Sequence, residues 1–182
     1  MRTIGAAASA LERRQPGLLA ALPPADWGLL AAGAVVFGAG QLVPPYTNSY
    51  KSWYPTLRKP DWHPPPWVFP TVWIPLKVLQ SAALWLVWKG GKGDRNKLAL
   101  PLAVFGLHLF LGNWWNVVFF GRRELKPSVK WMGAFWTSVA GTIASFYNVE
   151  PVAAYLMAPT QVWVSIAALL NYEIVRLNTV RD

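Results

Sequence analysis

Long apolar runs alternate with short polar connectors along this chain, and that pattern sets its architecture. Stretches nearly free of ions cover 27–43, 67–88, 98–120, 129–147 and 151–175. Each approaches the ~20 residues a helix needs to cross a ~30 Å hydrocarbon layer. Segments in that layer must satisfy their own backbone hydrogen bonds, which makes them helices. Five spans and their loops exhaust the 182 residues. The pattern therefore predicts an all-α integral membrane bundle of five transmembrane helices over 27–178. A mobile N-terminal tail is expected at 1–26 and a short C-terminal tail at 179–182.

The runs differ in detail. The first is rich in small residues, with Gly28, Gly33, Ala34, Gly38 and Gly40, and so can approach its neighbours closely. The second carries Pro75, a source of a kink, and Lys77. The fourth spaces Gly133, Thr137, Gly141 and Ser145 four apart, which lines them along one smooth helical stripe. Such a stripe packs closely, either inside the monomer or in a homodimer. Between the first two runs, residues 44–66 hold seven prolines among polar and aromatic residues, so this segment is neither a regular helix nor a central strand. It reads as a long Pro/Trp-rich loop with Trp53, Tyr54 and Trp62 against the membrane surface or the end of the bundle.

Composition supports the membrane reading. Hydrophobic residues make up 54% of the chain and charged residues 14%, too few charges to coat a soluble globule. The net charge of +9 forms no nucleic-acid-binding stripe or motif. Lys89, Lys92, Arg95 and Lys97 fill one connector and Arg122, Arg123, Lys126 and Lys130 another, where lipid headgroups supply the counterions. The bilayer, not nucleic acid, is the expected partner. Five spans place seven basic residues on one side and nine on the other, a difference that selects no orientation. Arg2, Arg13 and Arg14 would suit an organelle-targeting segment, but Glu12 and Pro23-Pro24 interrupt it. The absence of cysteine excludes disulfides and thiolate chemistry.

Conventional catalysis has little to draw on. All eight acidic residues lie outside the membrane centre, and His63 and His108 fall in different elements without metal-ligand spacing. No catalytic residue, metal site or required cofactor is expected, and His108 reads as a satisfied packing residue. Lys77 is the anomaly. It lies about ten residues into its helix, roughly 15 Å deep, where a cation costs about 2.5–3.5 kcal/mol. It reads as reaching carbonyls freed by Pro75, as partly neutral, or as the counterion of a bound acidic ligand.

Twelve tryptophans give the chain its most specific signal. Indole suits an interface, or a pocket with a greasy wall and a wet rim. Trp53-Tyr54, Lys59-Pro60, Trp62-His63-Pro64-Pro65, Trp67-Val68 and Val72-Trp73 resemble the signature of the TspO/MBR family. The likeness continues through 84–88, Trp115, Phe119-Phe120-Gly121, Pro159, Trp163, Leu170-Asn171-Tyr172 and Arg176-Leu177-Asn178. The resemblance implies a five-helix bundle, often dimeric, that binds tetrapyrroles such as porphyrin or haem and, in animal members, cholesterol and drugs. It implies a mitochondrial outer membrane in eukaryotes and a cell-envelope membrane in bacteria.

Carried over residue by residue, the implied ligand pocket draws on Phe69, Val72, Trp73, Trp163 and Ala167, with the Pro-rich connector as its lid. Trp67 and Trp115 add stacking faces, and Lys77 and Asn171 add polar contacts. Leu170, Tyr172 and Arg176 fit the family's sterol-recognition pattern, a short and weak motif. Three functions follow as expectations: a receptor or transporter-like binder of porphyrin or sterol, oxidative porphyrin breakdown dependent on pocket tryptophans, or a membrane scaffold acting through the fourth-helix stripe. The chain departs from the usual family residues at Lys77, Gly112, Val117, Pro127 and Trp131.

Overall fold

The computed structural model describes residues 26–42 and 48–179. The tails and any targeting segment fall outside these residues, except Asp26 and Thr179, which belong to the bundle. Helices α1 (Trp27–Ala39), α2 (Val68–Gly90), α3 (Arg95–Asn116), α4 (Leu125–Tyr147) and α5 (Pro151–Thr179) form the membrane bundle. By length and apolarity α2, α5 and α3 with its C-terminal turn can each cross a membrane, and α1 is a shorter apolar helix. Large apolar side chains such as Ile74, Leu100, Phe110, Val162 and Leu169 cover the outside, where lipid tails solvate them.

Local chemistry sets the helix ends. The Asp26 carboxylate accepts hydrogen bonds from the Gly28 and Leu29 amides and caps α1; Asp94 does the same for α3 through Asn96 and Lys97. Between α2 and α3, Lys92 and Gly93 take positive φ angles of 48° and 75°, which reverses the chain in a few residues. The expected third span ends differently from a regular helix. Its last residues form a π-helical turn, Val117–Gly121, closed by the Arg122 amide donating to the Val117 carbonyl at 2.8 Å. Helix α4 begins four residues before the apolar run because Pro127 is tolerated in a first turn, where its missing N–H would have no partner. Helix α5 starts on Pro151, a favoured first helical residue, and runs beyond the expected 175.

The first span is shorter than expected. Thirteen residues at 1.5 Å each make α1 about 20 Å long, two thirds of a hydrocarbon layer. Its start is tied to the C-terminal part of α2, where the Trp85 indole donates to Asp26 at 2.9 Å and Lys89 lies over the Trp85 ring. Its end reaches only Lys77, in the middle of α2. Carbonyls at a helix end cannot stay unpaired at that depth. Lys77 Nζ donates to the Val36 carbonyl at 3.3 Å, and Asn113 Nδ2 to the Ala39 carbonyl at 2.8 Å. Lys77 thus does reach a freed carbonyl, but α1 supplies it, not the segment before Pro75.

Around the bundle the helices pack in the order α1, α2, α5, α4, α3. Helices α2 and α3 are neighbours in sequence yet barely touch, because a cavity separates them. The core beneath is apolar, with Phe105, Phe146, Val139, Met157 and Val164 fully buried. The stripe on α4 does not lie on one contact face. Rows of i, i+4 residues run oblique to the helix axis, so Gly133 and Thr137 face outward, Gly141 meets Val104 of α3, and Ser145 is buried. Its C-terminal half packs inside the monomer, while a Cβ at Gly133 would meet nothing within 4 Å.

Candidate ligand cavity

A cavity of about 810 Å³ opens between α2, α3 and α5 under the connector. Its upper wall is aromatic. Trp163 of α5 meets Phe69 and Trp73 of α2 edge-on, at centroid distances of 6.0 and 6.4 Å. Trp115 and Phe119, stacked at 5.3 Å, form the opposite wall. The buried Trp163 Nε1 has no hydrogen-bond partner among the described residues.

The connector closes the top. Ser49–Trp53 makes a π-helical turn and Tyr54–Thr56 a 3₁₀ turn, placing Tyr50, Lys51 and Tyr54 on the lining. Tyr54 is buried against Phe119, Leu170 and Ile174. Burial, with Tyr50 beside it, pushes its phenol well above the ordinary value, so it stays protonated. It hydrogen-bonds His63 Nε2 at 2.9 Å, and Lys59 lies over its ring. Burial and the nearby Lys59 hold His63 below its ordinary pKa, favouring the neutral ring. A reciprocal pair anchors the connector to α5: the Arg58 amide donates to Asn178 Oδ1 at 3.0 Å, and Asn178 Nδ2 donates to the Arg58 carbonyl at 2.8 Å. Trp53 packs on Phe119 at the bundle end, as its position suggested, whereas Trp62 stays half exposed.

Most residues proposed from the sequence meet at this cavity. Trp67, Phe69, Trp73, Lys77, Trp115, Trp163, Ala167 and Asn171 all lie on its lining, with Trp67 largely exposed at the mouth. Val72 is the exception: it sits on a shallow outer hollow beside Tyr155 and Pro159, because one residue before Trp73 the helix turns its side chain by about 100°. The sterol pattern is also divided. Leu170 is buried on the cavity wall, while Tyr172 and Arg176 lie on the outer side of α5, where Arg176 pairs with Glu173 at 2.7 Å. Asn171 lines the cavity, but its polar atoms face inward partners: Trp115 Nε1 donates to its Oδ1 at 2.7 Å, and its Nδ2 donates to Ser128 Oγ at 3.0 Å.

Several lining residues escaped the sequence reading. Gln80, buried and donating to Thr160 Oγ1 at 3.2 Å, had the signal of a lone amide within an apolar run. His108 was expected to be a satisfied packing residue. It is buried and stacked on Phe135, yet it lines the cavity and its Nδ1 closes no hydrogen bond among the described residues. Tyr50, Met132 and Ile174 carried no distinguishing signal.

Together the fold and cavity define an integral membrane helical bundle with an aromatic-walled internal chamber beneath an extracore loop. The sequence matches the TspO/MBR family over residues 29–177, and the chain belongs to that family. It is 33% identical over 158 residues to the tryptophan-rich sensory protein of Cereibacter sphaeroides, covering 84% of this chain and 93% of that protein. It is 36% identical over 127 residues to the human translocator protein, covering 69% and 75% of the two chains. Protein CrtK of Rhodobacter capsulatus is 34% identical over 128 residues, covering 70% and 79%.

Proposed function

We propose that this protein is a membrane receptor or transporter-like protein that takes a flat, largely apolar molecule of the tetrapyrrole class into its cavity. The aromatic chamber carries this reading. Its volume of about 810 Å³ falls in the range of small-molecule sites, and its tryptophan and phenylalanine walls suit a broad π-surface. The names of the bacterial and human relatives, a sensory protein and a translocator protein, agree with recognition or transfer of a ligand. A sterol has weaker support, because Leu170 lies on a different face of α5 from Tyr172 and Arg176.

Titration of the purified protein with protoporphyrin, followed by tryptophan fluorescence, tests the proposal. Saturable quenching is expected, and it should fall sharply in a Trp73→Ala/Trp163→Ala double variant that remains folded. Unsaturable quenching, or quenching indifferent to both substitutions, would sink it.

A further inference from the structure

The cavity is chemically divided. Aromatic rings form its upper wall, and its floor is polar where α1 ends against α2 and α3. At that floor Asn113 donates to the Ala39 carbonyl and Lys77 to that of Val36. The lysine keeps donors to spare. An ammonium has three N–H bonds, and Lys77 directs one to Val36 across a long 3.3 Å contact. His108 also lines the floor, with its own Nδ1 buried. Phe105 meets the His108 ring edge-on at 5.1 Å and Phe135 stacks flat on it at 5.9 Å, which holds the imidazole in place. Among the described residues no aspartate or glutamate lies on the lining to answer the lysine.

Resting on the reading that the cavity receives a flat apolar molecule, we propose that its floor is a carboxylate subsite. The ligand is then an amphipathic acid whose ring system lies among the aromatic walls and whose carboxylate reaches Lys77. An unpaired cation in a poorly hydrated chamber gains strongly from a matching anion. A neutral molecule of the same shape leaves the surplus donors without a partner, which is how buried polar groups discriminate.

The probes are protoporphyrin IX and its dimethyl ester, which share one ring system and differ in charge. Binding is measured in nanodiscs and corrected for partition into empty discs. Wild-type protein should bind the acid about 10- to 100-fold more tightly than the ester, the range of a hydrogen bond to a charged group. Lys77→Met should bring the two affinities together, and Lys77→Arg should keep them apart. Lys126→Met, which removes an exposed lysine at the start of α4 away from the cavity lining, should also preserve the preference.

Because the acid-to-ester ratio is read within each protein, a general loss of packing cancels. Equal wild-type affinity for the two probes overturns the subsite while leaving the cavity proposal standing. A Lys77→Met protein that still prefers the acid also overturns it. Failure of both probes to bind saturably overturns the cavity reading itself, and the subsite with it.

Discussion

Replacing Asn171 by leucine removes the polar junction that joins three helices at the cavity wall without leaving a hole, since the two side chains are close in size. Asn171 makes two hydrogen bonds that leucine cannot: it accepts from Trp115 Nε1 at 2.7 Å and donates to Ser128 Oγ at 3.0 Å. The Ser128 hydroxyl proton has a better acceptor in the Leu125 carbonyl at 2.6 Å than in Asn171 Oδ1 at 3.2 Å, so that third contact is not counted. Hydrogen bonds inside membrane proteins contribute on average about 0.6 and at most about 1.7 kcal/mol each. Two of them, with the Trp115 N–H left buried and unpaired, put the loss at about 2 kcal/mol. For a chain of this size that is a drop of roughly 4–8 °C in melting temperature. Thermal unfolding in detergent, followed by tryptophan fluorescence, measures it. Ser128→Ala should cost about half as much, and the double variant little more than Asn171→Leu alone, because both act on one network. A change below about 1 °C for Asn171→Leu, or fully additive losses, would refute the junction as a source of stability.

Three further outcomes are expected. Gly112→Ala places a Cβ 3.0 Å from the Phe135 ring, so that ring and the His108 stacked on it must shift; the variant should lose about 1 kcal/mol on thermal unfolding and bind porphyrin more weakly. Gly141→Leu should destabilise the monomer by about 1–3 kcal/mol through its clash with Val104, whereas Gly133→Leu should leave unfolding unchanged and alter only association, if that outward face mediates it, as crosslinking would record. The connector should loosen with acid. The folded protein holds His63 below the ordinary 6.5, so the unfolded chain binds more protons and stability falls as pH drops through 6.5 toward the depressed folded value. Proteolysis near residues 58–63 should therefore accelerate below pH 6.5 in wild type, and His63→Gln should remove that dependence.

The helices were legible because their cause is local. A run of about 20 apolar residues reports directly on whether a segment can sit in hydrocarbon, and the expected starts at 27 and 151 are those of α1 and α5, whereas the Asp94 cap starts α3 three residues before the expected 98. The tryptophans were legible through a spacing shared with relatives, not through periodicity. What stayed hidden depends on angle and depth. Val72 and Trp73 are adjacent in sequence and face different spaces, and the α4 stripe turns from lipid to core over three steps of four residues. Nor does composition foretell that α1 stops after 13 residues, because apolar residues continue almost to the end of the run and the decisive caps, Lys77 and Asn113, belong to other helices.

The departures from the usual family residues are coupled to their surroundings, and this limits what can be transferred from relatives one position at a time. Lys77 approaches the end of α1 closely beside Gly40: a Cβ there would lie 3.1 Å from the ammonium nitrogen and displace it by a few tenths of an ångström. The same ammonium lies 5.8 Å from the Phe37 ring centroid and caps Val36, so the lysine, the glycine and the shortness of α1 form one arrangement. Gly112 is similarly paired with Phe135, whose ring occupies the space that a side chain at 112 would need. Both pairs border the polar floor and leave the aromatic walls intact. On the function proposed above, a change confined to the floor would alter which charged or polar group the cavity favours without touching the aromatic walls. Members of one family can therefore share a chamber and still differ in ligand.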